Sequence, residues 1–204
     1  MHNYFETYSL GEENLIIHAD NCSGQNKNNA MIQYLAWRVF KGKHKRITYS
    51  FMVPGHTKFS PDGFFGLFKL KLKKSEVDNL EDLVKVIEES TNGYNEAQTI
   101  FDKDGERKVF FYKWTEYLKG FFKQLIGISK YHHFIFTQEN PGVVLAKKHI
   151  DSELEIIDIS RNLNIDPVLE PKFPVGLTAE RKNYLREEIS KFVQNPIKKN
   201  FYFY

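Results

Sequence analysis

Cysteine is almost absent. Cys22 is the single one in 204 residues. One thiol cannot close an internal disulfide, and a Cys-based zinc site is excluded with it. No apolar run approaches the roughly 18 residues of a membrane span, and the N-terminal stretch has no signal-peptide core. A large excess of either charge is also missing. The 29 Lys and Arg stand against 26 Asp and Glu, for a formal net charge of +3. That balance permits a nucleic-acid partner without requiring one. There is no internal repeat and no low-complexity tract. The expectation is a soluble intracellular protein, nuclear or cytoplasmic, with no membrane partner.

Aromatic residues are plentiful, with 18 Phe and 11 Tyr. With 41% apolar residues, the chain can bury a real core, and its length suits one domain or one domain with an appendage.

Periodicity places the elements. Residues 13–20 read as a buried strand and 29–41 as a helix. Ile32, Leu35, Ala36 and Val39 fall on one face of that helix, and Gly42 follows it as a C-terminal stop. Residues 46–53 return as a strand. Ser60-Pro61 predicts a helix start, with Ser as N-cap, and puts Asp62 in a first turn where the helix dipole favours a negative charge. A further helix spans about 78–90, with Asp78 and Glu81 spaced as a capping box. Strands are expected at 97–101 and 107–112, and again at 131–137 and 142–148. A short aromatic helix is expected near 114–124, an irregular stretch at 151–176, and a last helix from Thr178 to about Val193.

The chemistry concentrates after two strands. The first site is Asp20-Asn21-Cys22-Ser23-Gly24-Gln25-Asn26-Lys27-Asn28-Asn29, at the carboxyl end of an apolar run. The second is Gly55-His56-Thr57-Lys58-Phe59-Ser60-Pro61-Asp62. Acids at strand ends facing a polar crevice are where open α/β sheets bind ligands, and two such acids can share a divalent metal. Each candidate has a plain structural reading beside the functional one. Asp20 is a metal ligand or a cap on its own loop. Asp62 is a ligand or a first-turn acid. His56 is a ligand, a proton carrier or a structural histidine. Asn21, Gln25 and Asn28 orient a carboxylate, touch phosphate or simply close the loop. Lys69, Lys71, Lys73 and Lys74 follow a phosphate backbone or form a solvated helix end. His132 and His133 are neighbours in a strand and point to opposite faces, so a shared ion there is disfavoured.

The order strand, acid, polar loop, helix, strand, loop, acidic helix resembles the second half of an RNase-H-like integrase or transposase core. Asp20 matches that family's second acid. Asp62 matches its third, where the family usually has Glu. The motif wording, D-N-C-x-G-Q-N-K-N and G-H-T-x-x-x-x-D, together with Lys130-Tyr131-His132-His133-Phe134 and Gly176-Leu177-Thr178-Ala179-Glu180-Arg181, resembles an uncharacterised eukaryotic, transposon-associated domain family. The resemblance covers about residues 15–193.

The resemblance implies an α/β fold with an α+β appendage. A partial RNase-H-like sheet with crossover helices would occupy residues 1–93, and hairpins and a C-terminal helix would pack on it from 94–204. It implies a weak, vestigial Mg²⁺ or Mn²⁺ site at Asp20 and Asp62, with DNA or RNA as partner. The family's first acid has no counterpart here, because Asp20 is the first Asp in the chain. The expectation is therefore a catalytically impaired domain that lacks the N-terminal half of a longer protein. Two other functions stay open. One is a non-catalytic domain that binds protein or nucleic acid, and the other is a different metal-dependent phosphoesterase.

Overall fold

A computed structural model describes residues 1–52 and 59–195. Its regular elements are α1 (His2–Tyr8), β1 (Asn14–Ala19), α2 (Asn29–Phe40), β2 (Arg46–Phe51), α3 (Ser60–Leu72), α4 (Leu80–Glu88), α5 (Trp114–Phe121), β3 (His133–Thr137), β4 (Val143–Lys147), β5 (Glu155–Asp158) and α6 (Ala179–Tyr184). The fold is mixed α/β and falls into two compact units. The first comprises residues 1–57 and 110–173, the second 58–109 and 174–204. The expected boundary at residue 93 falls inside the second unit.

The first unit is built on one five-stranded sheet in the order β1-β2-β3-β4-β5. β1 and β2 are parallel neighbours, with Asn14 opposite Arg46 and Ala19 opposite Phe51. The strands expected at 13–20 and 46–53 are therefore adjacent and parallel, joined through the helix Asn29–Phe40. β3, β4 and β5 follow as an antiparallel meander from β2. The hairpin expected in a separate extension thus belongs to the main sheet.

Strand alternation divides the sheet into two faces. Ile47, Tyr49, Phe51, Phe134, Phe136, Val144 and Ala146 point to one side and are buried. The α2 residues Ile32, Leu35, Ala36 and Val39 pack in the same core, as do Leu118 and Phe121 of α5. The predicted apolar face of α2 is therefore its core face. The opposite sheet face carries Ile16 and Ile156, which are 69% and 73% exposed.

α2 is buried beyond its apolar stripe, and its polar residues are satisfied. Gln33 donates to the carbonyl of Lys123 at 3.0 Å. Arg38 donates to the Tyr34 hydroxyl at 3.0 Å, to Nδ1 of His44 at 3.2 Å and to Glu6 at 3.2 Å. A buried guanidinium is tolerated only with such partners.

In the second unit α3 packs against α4. Pro61, Phe64, Phe65, Phe68, Ile87 and Tyr94 line an apolar groove there. The Asp78 carboxylate is buried and accepts the N–H groups of Gln194 and Asn195, both at 2.9 Å.

Several expectations need correction. The N-cap of α3 is Phe59 rather than Ser60, so Asp62 is the third helical residue. The capping box of α4 is Asn79 with Asp82, one residue later than expected. Residues 97–101 and 107–112 are joined to each other by a single bridge, Phe101 to Arg107. The turn is real, because the Asp102 carboxylate accepts the N–H groups of Asp104 and Glu106. The flanking Ile100 and Phe101 stay exposed, so burial does not reward strands there. β5 lies inside the stretch read as irregular, and its two acids in four residues hid it. The last helix loosens after Tyr184 into a π turn, Leu185–Ile189, and a 3-10 turn, Ser190–Phe192.

Candidate functional site

The loop from Asp20 to Asn28 leaves β1 and enters α2. It is held mainly by its own polar groups. The carbonyl of Cys22 accepts the N–H groups of Gln25 at 3.2 Å, Asn26 at 2.7 Å and Lys27 at 3.0 Å. Oδ1 of Asp20 accepts the N–H of Cys22 at 2.9 Å and the Asn26 amide at 2.8 Å. Those two donors, the backbone one first, hold the Asp20 carboxyl below its ordinary range. The residue is exposed, and Oδ2 accepts no hydrogen bond among the described residues.

Asn21 turns the other way. Its amide donates to the carbonyl of Met52 at 2.5 Å, tying the loop to the end of β2. Its own oxygen accepts from Nζ of Lys27 at 3.1 Å. Lys27 is only 7% exposed and lies 5.1 Å from the centre of the Phe51 ring. Burial pulls its ammonium down from the ordinary lysine range. Tyr49 completes the floor by donating to the carbonyl of Asn26 at 3.0 Å, and burial pushes its phenol up.

The end of the loop is a helix start. Oδ1 of Asn28 accepts the N–H of Met31 at 3.0 Å, which makes Asn28 the N-cap of α2. Its amide donates to the carbonyl of Gln25 at 3.1 Å. Asn29 clasps Leu125 on both sides, accepting its N–H at 2.7 Å and donating to its carbonyl at 3.3 Å. Gln25 is exposed. Its side chain and Asn28 line an open cavity of about 260 Å³ with His2, Met31, Tyr34 and Trp114.

The second acid has a structural task. Oδ2 of Asp62 accepts the N–H of Phe59 at 3.0 Å at the start of α3. Asp62 belongs to the second unit and Asp20 to the first. His56 lies outside the described residues. Among the described residues, no three His, Cys, Asp or Glu side chains are grouped so as to hold a metal. The lysines at the end of α3 are partly committed. Lys71 pairs with Glu89 at 3.0 Å, and Lys69 lies over the Phe65 ring at 4.7 Å. Lys73 is the C-cap and is exposed, as is Lys74.

A family model described as "Domain of unknown function (DUF7869)" matches residues 2–153. The chain belongs to this DUF7869 family. The match spans the polar loop and the strands β1 to β4. No curated protein and no solved structure matches the chain significantly.

Most polar residues of this DUF7869 chain's loop are thus spent on its own architecture. Asn26, Lys27 and Asn29 carry much of that work, and the sequence reading gave none of them a role. A dense run of amides between a strand and a helix was the available signal, since amides both donate and accept. A further polar pair sits in the sheet itself, where Nδ1 of His133 meets the Ser50 hydroxyl at 3.0 Å.

Proposed function

We propose that this chain is an RNase-H-like domain of transposase type that keeps one strand-end acid of a metal-dependent phosphodiester site but does not itself cleave. The observation carrying this reading is the position of Asp20. It terminates the first of two adjacent parallel strands, is exposed, and leads into the loop that starts α2. Among the described residues, Oδ1 takes two hydrogen bonds and Oδ2 takes none, which leaves Oδ2 for a ligand.

A Mg²⁺ or Mn²⁺ ion fits this donor set only as a lightly held ion. One carboxylate oxygen meets it, and water fills most of the coordination sphere. Such an ion would supply Lewis acidity toward a phosphoryl oxygen. The protein's part is to keep Asp20 ionised, which the Cys22 N–H and the Asn26 amide do. Two ions held a few Å apart repel, and several carboxylates normally offset that repulsion. Among the described residues, no group of three such ligands meets that requirement.

A non-catalytic interaction domain is the second reading. It is supported by the internal use of Asn21, Asn26, Lys27, Asn28 and Asn29. It is also supported by the capping role of Asp62. A cleavage assay on single- and double-stranded DNA and RNA with Mg²⁺ or Mn²⁺ tests the proposal. Background activity is expected from the wild type and from Asp20→Ala alike. Robust metal-dependent cleavage abolished by Asp20→Ala and Asp62→Ala would overturn the impaired-enzyme reading.

A further inference from the structure

The sheet of the first unit has two edges, and they differ in chemistry. β5 carries an acid at each end, Glu155 and Asp158, in a strand of four residues. Short, charged edges are how proteins discourage strand addition. β1 has six residues, Asn14-Leu15-Ile16-Ile17-His18-Ala19. It contains no Lys, Arg, Asp or Glu, no Pro and no Gly, so none of the usual sequence safeguards is present.

The backbone of β1 shows which groups are open. The carbonyls of Glu13 and Ala19 point toward β2, accepting from Lys45 at 2.7 Å and Met52 at 3.0 Å. N–H and C=O of one residue point the same way, and successive residues alternate. Asn14, Ile16 and His18 therefore turn their backbone groups outward, and no described residue bonds them there. All three are exposed.

The strand is symmetric in kind about Ile16. Leu15 and Ile17 flank it on the core side of the sheet, and Asn14 and His18 flank it on the open side. A two-fold axis perpendicular to the sheet at Ile16 would pair Ile16 with itself, Leu15 with Ile17 and Asn14 with His18. These three pairs are matched in polarity, and Ala19 at the end of the strand falls opposite Glu13. All three outward residues fall in hydrogen-bonded pairs, which exchange two bonds each in an antiparallel ladder. A closed two-fold contact needs this self-complementarity.

We propose that the outer edge of β1 is a self-association site, where a second copy of this chain adds antiparallel through its own β1 and joins two sheets into one. The contact is narrow, so the dimer is weak and concentration-dependent. The proposal does not depend on the catalytic reading, because the axis lies at Ile16 and leaves the two Asp20 loops at opposite ends of the paired strands.

Sedimentation equilibrium of the full chain over a wide concentration range tests it. A monomer–dimer equilibrium is expected. Ile16→Lys places like charges directly opposite each other and should weaken the dimer by at least about tenfold. Ile156→Lys, on the other edge, should leave it unchanged, with circular dichroism confirming that both variants fold. In a Cys22→Ser background, Ile16→Cys should cross-link to itself with a short thiol-reactive reagent, since directly opposed Cα atoms in such a pair are about 5.5 Å apart. Ile156→Cys should not. A monomer at every concentration, a dimer indifferent to Ile16→Lys, or equal cross-linking at both edges overturns the proposal.

Discussion

Asp20 and Asn26 are joined by a 2.8 Å hydrogen bond from the amide to the carboxylate, across the loop that leaves β1. The bond stabilises the ionised form of Asp20. Asn26→Ala should therefore raise the Asp20 pKa toward its ordinary value, while the Cys22 N–H keeps part of the effect. The linkage has a definite sign. A carboxyl depressed by folding contributes stability above its unfolded pKa of about 3.9, and that contribution is lost as pH falls through the folded value. A carbon-detected NMR titration of Asp20 in both proteins checks this. An unchanged pKa in Asn26→Ala would show that the bond does not form in solution.

Histidines give the first unit a second pH dependence. Burial lowers the pKa of His2, His44 and His133, and is the largest cause in each case. Protonation thus favours the unfolded chain, where histidine titrates near about 6.5. Their contribution is complete above that value and is lost as pH falls toward the folded pKa values. The melting temperature should drop between neutral pH and mildly acidic pH, before the carboxylates titrate. His44→Gln should flatten the drop. A melting temperature that rises on acidification would contradict the assignment.

In the second unit, Asp78 holds residues 194 and 195 to the segment before α4. Asp78→Ala removes a buried acceptor from two N–H groups. The expected destabilisation is about 1–3 kcal/mol. The amides of Gln194 and Asn195 should exchange faster with deuterium, while those of β2 and β3 are unaffected. Unchanged exchange at 194 and 195 would refute this role.

What the sequence disclosed follows from how local each signal is. The first parallel pair and α2 were legible because Ile32, Leu35, Ala36 and Val39 mark one helical face between two apolar runs. The β3–β4 hairpin was legible from alternation around a Gly-containing turn, and Gly142 does adopt φ 84° there. Its place beside β2 was not legible, because cross-sheet neighbours such as Tyr49 and Phe134 are far apart in sequence. β5 was hidden by the acids that suit an edge strand. The cap of α4 slipped by one residue because Asp78, Asn79, Glu81 and Asp82 all have capping chemistry.

The site was less legible than the fold. Asp20 stood out as a strand-end acid, and its loop-capping bond to the Cys22 N–H was one of the two readings open from sequence. The buried ammonium of Lys27, held by Asn21, has no sequence signature, because nothing local marks a lysine that turns inward over Phe51.

Titration calorimetry of the full chain with Mn²⁺, comparing wild type with Asp20→Ala, tests the central claim most directly. The account predicts one weak site per chain in the wild type, lost in Asp20→Ala and retained when the exposed Glu139, in the β3–β4 turn at the other end of the sheet, is changed to Gln. No measurable binding by the wild type, or binding that survives Asp20→Ala, would contradict it.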